Sequence, residues 1–171
     1  MAAVLVRRLG PDEGAGYRAI RLRALADAPE AFCSSLAEEE ARPLESWSMR
    51  LQNAAQSGTD CPLGAELDGA LAGMVWAKVD AADPATVNLF QMWVAPESRG
   101  RGVARALLDA AVDWARARGA RTVGLGVNCA NQAAVSLYQR AGFRVLGEAY
   151  PRAGAAGRME YAMRLKLDAV R

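Results

Sequence analysis

The sequence predicts a mixed α/β fold in one domain, and three observations carry that prediction. Short apolar runs of strand length alternate with longer stretches whose apolar residues recur at helical spacing. Glycine, proline and one Asp-Gly pair punctuate them. The segment from Val87 to Asn128 reads strand, helix, strand, which implies a parallel pair joined by a right-handed crossover. At 171 residues the chain suits one domain with a sizeable core. The expected architecture is a central mixed, mostly antiparallel sheet of about six to seven strands, with about four helices distributed over both faces.

Ala3 to Leu9 is the first strand, stopped by Gly10-Pro11. Asp12 offers a cap for a helix over Gly16 to Ala28, in which Tyr17, Ile20, Leu22, Leu25 and Ala28 share a face and Arg18, Arg21 and Arg23 point elsewhere. Pro29 breaks it. A less regular helix runs from about Leu44 to Ala55 with Trp47 and Leu51 on one face, and Gln52 to Cys61 reads as a polar linker. Cys61 to Leu67 and Ala70 to Val79 form a hairpin at Asp68-Gly69, a pair that tolerates positive φ. After a turn at Ala81-Ala82-Asp83-Pro84, Thr86 to Val94 is the next strand. The helix beyond it buries Val103, Leu107, Ala111 and Trp114 and ends at Arg118-Gly119, with a cation near its last carbonyls. In the strand Thr122 to Asn128, Val123, Leu125 and Val127 share one face and Gly124 and Gly126 the other, so something packs closely against the glycines. Asn131 to Ala141 is a short helix ended by Gly142. Phe143 to Tyr150 and Arg158 to Leu167 are the last strands, separated by the loop Pro151 to Gly157.

Composition narrows the chemistry. Apolar residues make up 52% and charged residues 23%, and 21 basic residues stand against 19 acidic ones, a net charge of +2. That balance argues against a nucleic-acid partner. There is no histidine, which removes Ser-His and Cys-His nucleophilic centres and most transition-metal sites. Cys33, Cys61 and Cys129 are far apart and lack a C-x-x-C pair, so neither a disulfide framework nor a metal centre is expected. With no signal-like or membrane-spanning run, the expected location is cytoplasmic, with no membrane partner.

The chemistry concentrates in the loop Pro96 to Gly102, between a strand and a helix start. Glycines 100 and 102 let backbone N–H groups approach a ligand, and the first-turn amides of the helix have no intrahelical partner. Such a junction suits an anion, a pyrophosphate above all, and Arg99 and Arg101 add charge beside it. An ordinary surface turn with solvated arginines is the alternative. A triphosphatase loop would need a lysine and a hydroxyl residue after its last glycine, and a dinucleotide fingerprint a third glycine where Arg105 stands.

The loop resembles the acetyl-CoA signature of the GNAT superfamily of N-acetyltransferases: Gln or Arg, two residues, Gly, one residue, then Gly or Ala. Here it is met by Arg99-Gly100-Arg101-Gly102-Val103-Ala104. The resemblance extends through Met92-Trp93-Val94 before it and Asn131, Leu137-Tyr138 and Gly142-Phe143 after it. It implies a GNAT-like domain over residues 1–171 that binds acetyl-CoA as co-substrate and uses no metal. The pyrophosphate would lie on Arg99, Gly100, Arg101, Gly102, Val103 and Ala104. Main-chain groups of Met92, Trp93 and Val94 would bond the pantetheine arm in a gap between two central strands, with an N–H near Val94 as oxyanion donor.

Asn131 and Tyr138 are seven residues apart, two helical turns with a rise of about 10 Å, so they share a face. Asn131 can touch the cofactor arm, or simply cap its own helix. Tyr138 is the candidate general acid for the leaving thiolate; a core tyrosine is the plainer reading. The acceptor ammonium must lose a proton before attack. Many members of the family place a carboxylate on the strand before the loop, whereas this one offers Asn88 and Gln91. Glu30, in the loop after the first helix, is the substitute, while Glu38, Glu39 and Glu40 read as a solvated acidic face. The expected function is acetyl transfer to a primary amine of a small molecule by direct attack in a ternary complex, by a monomer or homodimer. The alternatives are a protein N-terminal or lysine acetyltransferase with a peptide amine acceptor, and a non-catalytic acyl-CoA-binding module.

Overall fold

The computed structural model describes residues 3–32, 34–152 and 157–168. Cys33 and the middle of the loop after Pro151 lie outside the described residues. Seven strands form one sheet: β1 (Leu5–Arg8), β2 (Asp60–Leu67), β3 (Ala70–Val79), β4 (Thr86–Val94), β5 (Thr122–Asn128), β6 (Arg144–Pro151) and β7 (Met159–Lys166). Their order is β1-β2-β3-β4-β5-β7-β6. Every neighbouring pair is antiparallel except β4 and β5, as the strand, helix, strand reading of 87–128 requires. The hairpin turns at Asp68 and Gly69, whose φ values of 53° and 80° are those of an Asp-Gly two-residue turn.

Five α-helices flank the sheet among the described residues: α1 (Gly14–Asp27), α2 (Leu36–Glu40), α3 (Leu44–Ser57), α4 (Val103–Ala117) and α5 (Gln132–Arg140). Two apolar clusters lie on opposite faces. On one, Leu107, Leu108 and Ala111 of α4 and Tyr138 of α5 pack with Val75, Val87, Leu89, Val123 and Met163. On the other, Tyr17 and Ile20 of α1 and Trp47 and Leu51 of α3 pack with Met74 and Trp93. Each leucine buried this fully contributes on the order of 2 kcal/mol. Among the described residues, Gly124, Gly126, Ala162 and Leu146 instead line an open hollow with Phe90 and Tyr150.

Three local expectations are corrected. Asp12 does not cap α1; a 3₁₀ turn, Pro11–Glu13, precedes it, and Glu13 Oε2 reaches back to accept from the Gly10 N–H at 2.6 Å. The polar stretch after Leu51 is not a linker but the continuation of α3 to Ser57, ended by Gly58 at φ 68°. The Glu38 to Glu40 run lies in α2, opened by a reciprocal Ser35/Glu38 capping box; Glu38 and Glu40 are exposed as expected, but Glu39 between them turns inward and is 2% exposed. Arg21 likewise turns inward and is 4% exposed.

Two features shape the centre. The parallel pairing of β4 and β5 runs from Thr86/Thr122 to Leu89/Leu125 and then stops. Beyond it the strands diverge, and alternate main-chain groups of Phe90 to Val94 face a gap. The register of β4 on β3 also shifts between Met74/Trp93 and Trp76/Phe90, a bulge in which Gln91 stands at φ 60°. On β3, Gly73 lets α4 settle close: a Cβ there would lie 2.9 Å from the Trp93 carbonyl and 3.1 Å from Val103.

Candidate active site

The loop expected to receive an anion leads into the start of α4. Gly100 and Gly102 take φ values of 75° and 82°, a region that disfavours other residues. Gly102 is the N-cap residue and supplies no side chain to the helix end. The first helical bond is from the Ala106 N–H to the Gly102 carbonyl at 3.0 Å, so the amides of Val103, Ala104 and Arg105 point outward at the positive end of the helix dipole. A Cβ at either glycine would meet nothing within 4 Å. The glycines therefore serve backbone geometry, in a loop with open space in front of it.

The flanking arginines hold the loop as well as charging it. Arg99 donates from Nε to the Val94 carbonyl at 3.1 Å and from Nη2 to Asp27 Oδ2 at 2.7 Å. Trp93 Nε1 donates to the same Asp27 oxygen at 2.9 Å. Those two bonds, the Trp93 donor first, hold the Asp27 carboxyl below the usual range. Asp27 thus ties the end of α1 to β4 and to the loop, a role that local pattern did not reveal. The one signal for it is a carboxylate at a helix C-terminus, where the dipole disfavours negative charge unless a cation comes from elsewhere. Arg101 stays near the surface, 3.6 Å from Asp68.

The gap lies between the C-terminal ends of the parallel strands, the usual place for a ligand in such sheets. Met92 and Val94 pack into the α4 side and Trp93 into the α1 side, so their main chain, rather than their side chains, is what the gap presents. Asn131 caps α5, its Oδ1 accepting from the Ala134 N–H at 3.1 Å, and its exposed amide nitrogen is left to donate outward. One face along, Tyr138 is 6% exposed with its ring 5.8 Å from that of Phe143. Burial pushes its phenol up to about 12. It is therefore neutral, and able to donate, throughout the physiological range.

On the opposite face the structure brings together groups that the sequence left apart. Tyr17 Oη donates to Gln91 Oε1 at 2.7 Å, which ties α1 to the bulge. Glu39 accepts from Arg42 Nε and Arg50 Nη1, each at 2.9 Å. Burial alone would raise this carboxyl, but the two guanidiniums outweigh it and hold it below its ordinary value. On β7, Glu160 is 14% exposed at its side chain and pairs with Arg152 Nε at 3.1 Å. It also accepts from Tyr150 Oη at 3.0 Å. Its Oε2 would lie 2.7 Å from a Cβ on Gly126, just past the last residue of β5 that pairs with β4. This carboxylate, with the Asn88 side chain over Gly124, is what the glycine face of β5 accommodates. Glu30 is exposed on the 3₁₀ turn Pro29–Ala31, and its carbonyl accepts from Arg152 Nη1 at 3.1 Å. One arginine thus joins the segments carrying Glu30 and Glu160. No group of His, Cys, Asp or Glu suited to a metal ion occurs among the described residues.

A sequence model of the acetyltransferase (GNAT) family matches residues 22–143. The mycothiol acetyltransferase of Beutenbergia cavernae is 36% identical over 129 residues, covering 74% of this chain and 40% of that protein. The chain spans about two fifths of the length of the curated relatives it matches first. Among solved structures, a GNAT-family acetyltransferase from Streptococcus pneumoniae superposes with a TM-score of 0.82 at 26% identity, covering 96% of this chain and all of that one. An acetyltransferase from Salmonella typhimurium, solved with its cofactor acetyl-CoA, shares the fold at 22% identity with a TM-score of 0.81, covering 97% and 95% of the two chains.

Proposed function

The chain belongs to the acetyltransferase (GNAT) family, and from that membership we propose that it is an acetyl-CoA-dependent N-acetyltransferase acting on a primary amine of a small molecule. The observation that carries this reading is the uncapped, glycine-opened start of α4 beside a gap in the sheet, with a neutral phenol on the α5 side. Acetyl-CoA supplies an acyl group activated as a thioester. Arg99, Gly100, Arg101, Gly102, Val103 and Ala104 receive its pyrophosphate, chiefly through outward amides. Main-chain groups of Met92, Trp93 and Val94 and the amide of Asn131 orient the pantetheine arm, and an N–H near Val94 polarises the thioester carbonyl.

The acceptor nitrogen, already free of its ammonium proton, attacks that carbonyl carbon directly, the carbon–sulfur bond breaks, the thiolate takes the proton of Tyr138, and the second proton shed by the attacking nitrogen restores the phenol. A phenol is a weaker acid than a thiol by about 1.5 units in water. Burial keeps the Tyr138 phenol protonated until the thiolate forms beside it, and a well-placed transfer is then effective. The proton leaving the ammonium goes to a carboxylate on the acceptor face, Glu30 from the α1 side or Glu160 from the β7 side. Exchanging each for Gln separates them: only the base variant loses the acid limb of the kcat/KM profile.

An amine on an extended peptide is a second reading, favoured by the exposure of Phe90, Leu146 and Tyr150 on the same face. Calorimetry with acetyl-CoA, followed by CoA release with an amine panel, tests the proposal. Tight binding with turnover supports it; binding without turnover of any amine leaves an acyl-CoA-binding module; no binding overturns it.

A further inference from the structure

Beside the bulge of β4, a hollow of about 570 Å³ opens between α1, α2, α3 and the sheet. Its volume suits a small metabolite. Gln91, Phe90 and Trp76 form its sheet side and Tyr17 stands at its α1 side. Arg21, Arg42, Arg50 and Lys78 line it against only two carboxylates, Glu39 and Asp60. Both carboxylates are already engaged, Glu39 by the two guanidiniums and Asp60 Oδ2 by Trp76 Nε1 at 2.8 Å. The wall therefore presents an excess of positive charge.

That charge is organised rather than scattered. Glu39 is buried, and it fixes Arg42 and Arg50 from behind while their side chains remain 47% and 30% exposed. The Glu39 contact with Arg42 is through Nε, so the outer nitrogens of that guanidinium keep their donors. Arg50 lies over the Trp47 ring at 4.7 Å and Arg21 over Phe32 at 4.4 Å, which restrains both planes. Lys78 is exposed on the β3 side. Held cations beside an open cavity form a preorganised receptor for a compact oxyanion.

We propose that this hollow is the acceptor subsite and that it selects a primary amine carrying a carboxylate, with the amine directed past Gln91 to the gap and the carboxylate held by the arginines and Lys78. The same field disfavours polyamines and other polycationic acceptors. The inference rests on the acetyltransferase reading and deepens it.

The test compares CoA release from amino acids and from their C-terminal amides at equal pH. The amides carry the less basic amine and are deprotonated to the larger extent, so intrinsic reactivity favours them and a preference for the acids must come from the protein. We expect kcat/KM to favour the acids by about tenfold or more, the scale of one charge-assisted contact. The preference is carried in KM and weakens as salt is raised. Lys78→Glu, an exposed change that leaves the buried pairs intact, brings the ratio toward unity by raising KM for the acids, while acetyl-CoA affinity holds. Amides or diamines used as well as the acids, or no acid used at all while acetyl-CoA binds, overturns the anionic-acceptor inference and leaves the acetyltransferase reading standing. Failure to bind acetyl-CoA removes both.

Discussion

The helices that follow the two diverging strands begin in opposite ways. After β5, α5 starts on Asn131, whose own side chain satisfies the Ala134 amide. After β4, α4 starts on a left-handed glycine that gives its first turn nothing. Both starts stand at the same end of the parallel pair. One is closed by the chain itself, and the other keeps three amides for something outside it. The difference supports the proposed anion site: a chain that caps one helix with an asparagine leaves the start of the neighbouring helix without a side-chain cap.

The sharpest way to break this contrast is Gly102→Glu, which places a carboxylate against the expected pyrophosphate and forces a side chain into positive φ. Acetyl-CoA affinity should fall by about 100-fold or more in calorimetry, from like-charge repulsion and backbone strain together. Gly102→Ala isolates the strain; it should lower stability by about 1 kcal/mol while binding survives. Equal affinities in the native chain and the Gly102→Glu variant would mean that the α4 terminus is not the phosphate site.

Tyr138→Phe probes the α5 side of the gap. It should lower kcat by about 100-fold with little change in acetyl-CoA affinity, as expected for a lost proton donor. Rates that stay within about twofold would assign Tyr138 to the core alone. The same residue has a stability signature. Its folded pKa of about 12 lies above the unfolded value of about 10, so its contribution is complete below pH 10 and is lost as pH rises toward 12. In denaturant titrations the native chain should lose about 3 kcal/mol more across that window than the Phe variant does.

The smallest expected effect is at the cap of α5. Asn131→Ala should cost about 1 kcal/mol in chemical denaturation. A simultaneous rise in the acetyl-CoA dissociation constant would show that the amide serves the ligand as well as its helix, and would soften the contrast between the two starts.

Most elements were legible because their signals are local. The Asp68-Gly69 turn, the apolar stripe of α4 and Gly119 and Gly142 at the helix ends each depend on residues a few positions apart. The glycine face of β5 correctly announced a close neighbour, though not that Glu160 would be one. The Ser35/Glu38 capping box was also there to be read, but three adjacent glutamates resemble a solvated surface until Arg50, 11 residues from Glu39, comes over from α3. Arg21 misled in the same way, as a charged residue whose burial depends on what another element brings to it.

What the sequence by itself determined is the order of the seven strands and the long helices, the two-glycine loop before α4 and the membership that its motif implied, since periodicity, turn chemistry and glycine dihedrals are properties of neighbours along the chain. Only the tertiary structure decided where β4 and β5 part, that Gln91 is thrown into a bulge against Tyr17, that Asp27 braces Arg99, and that arginines from α1, from α3 and from the turn between α2 and α3 meet over one hollow. Each of these joins residues distant along the chain, and they are settled by packing and by the pairing of buried charge, which no local pattern encodes.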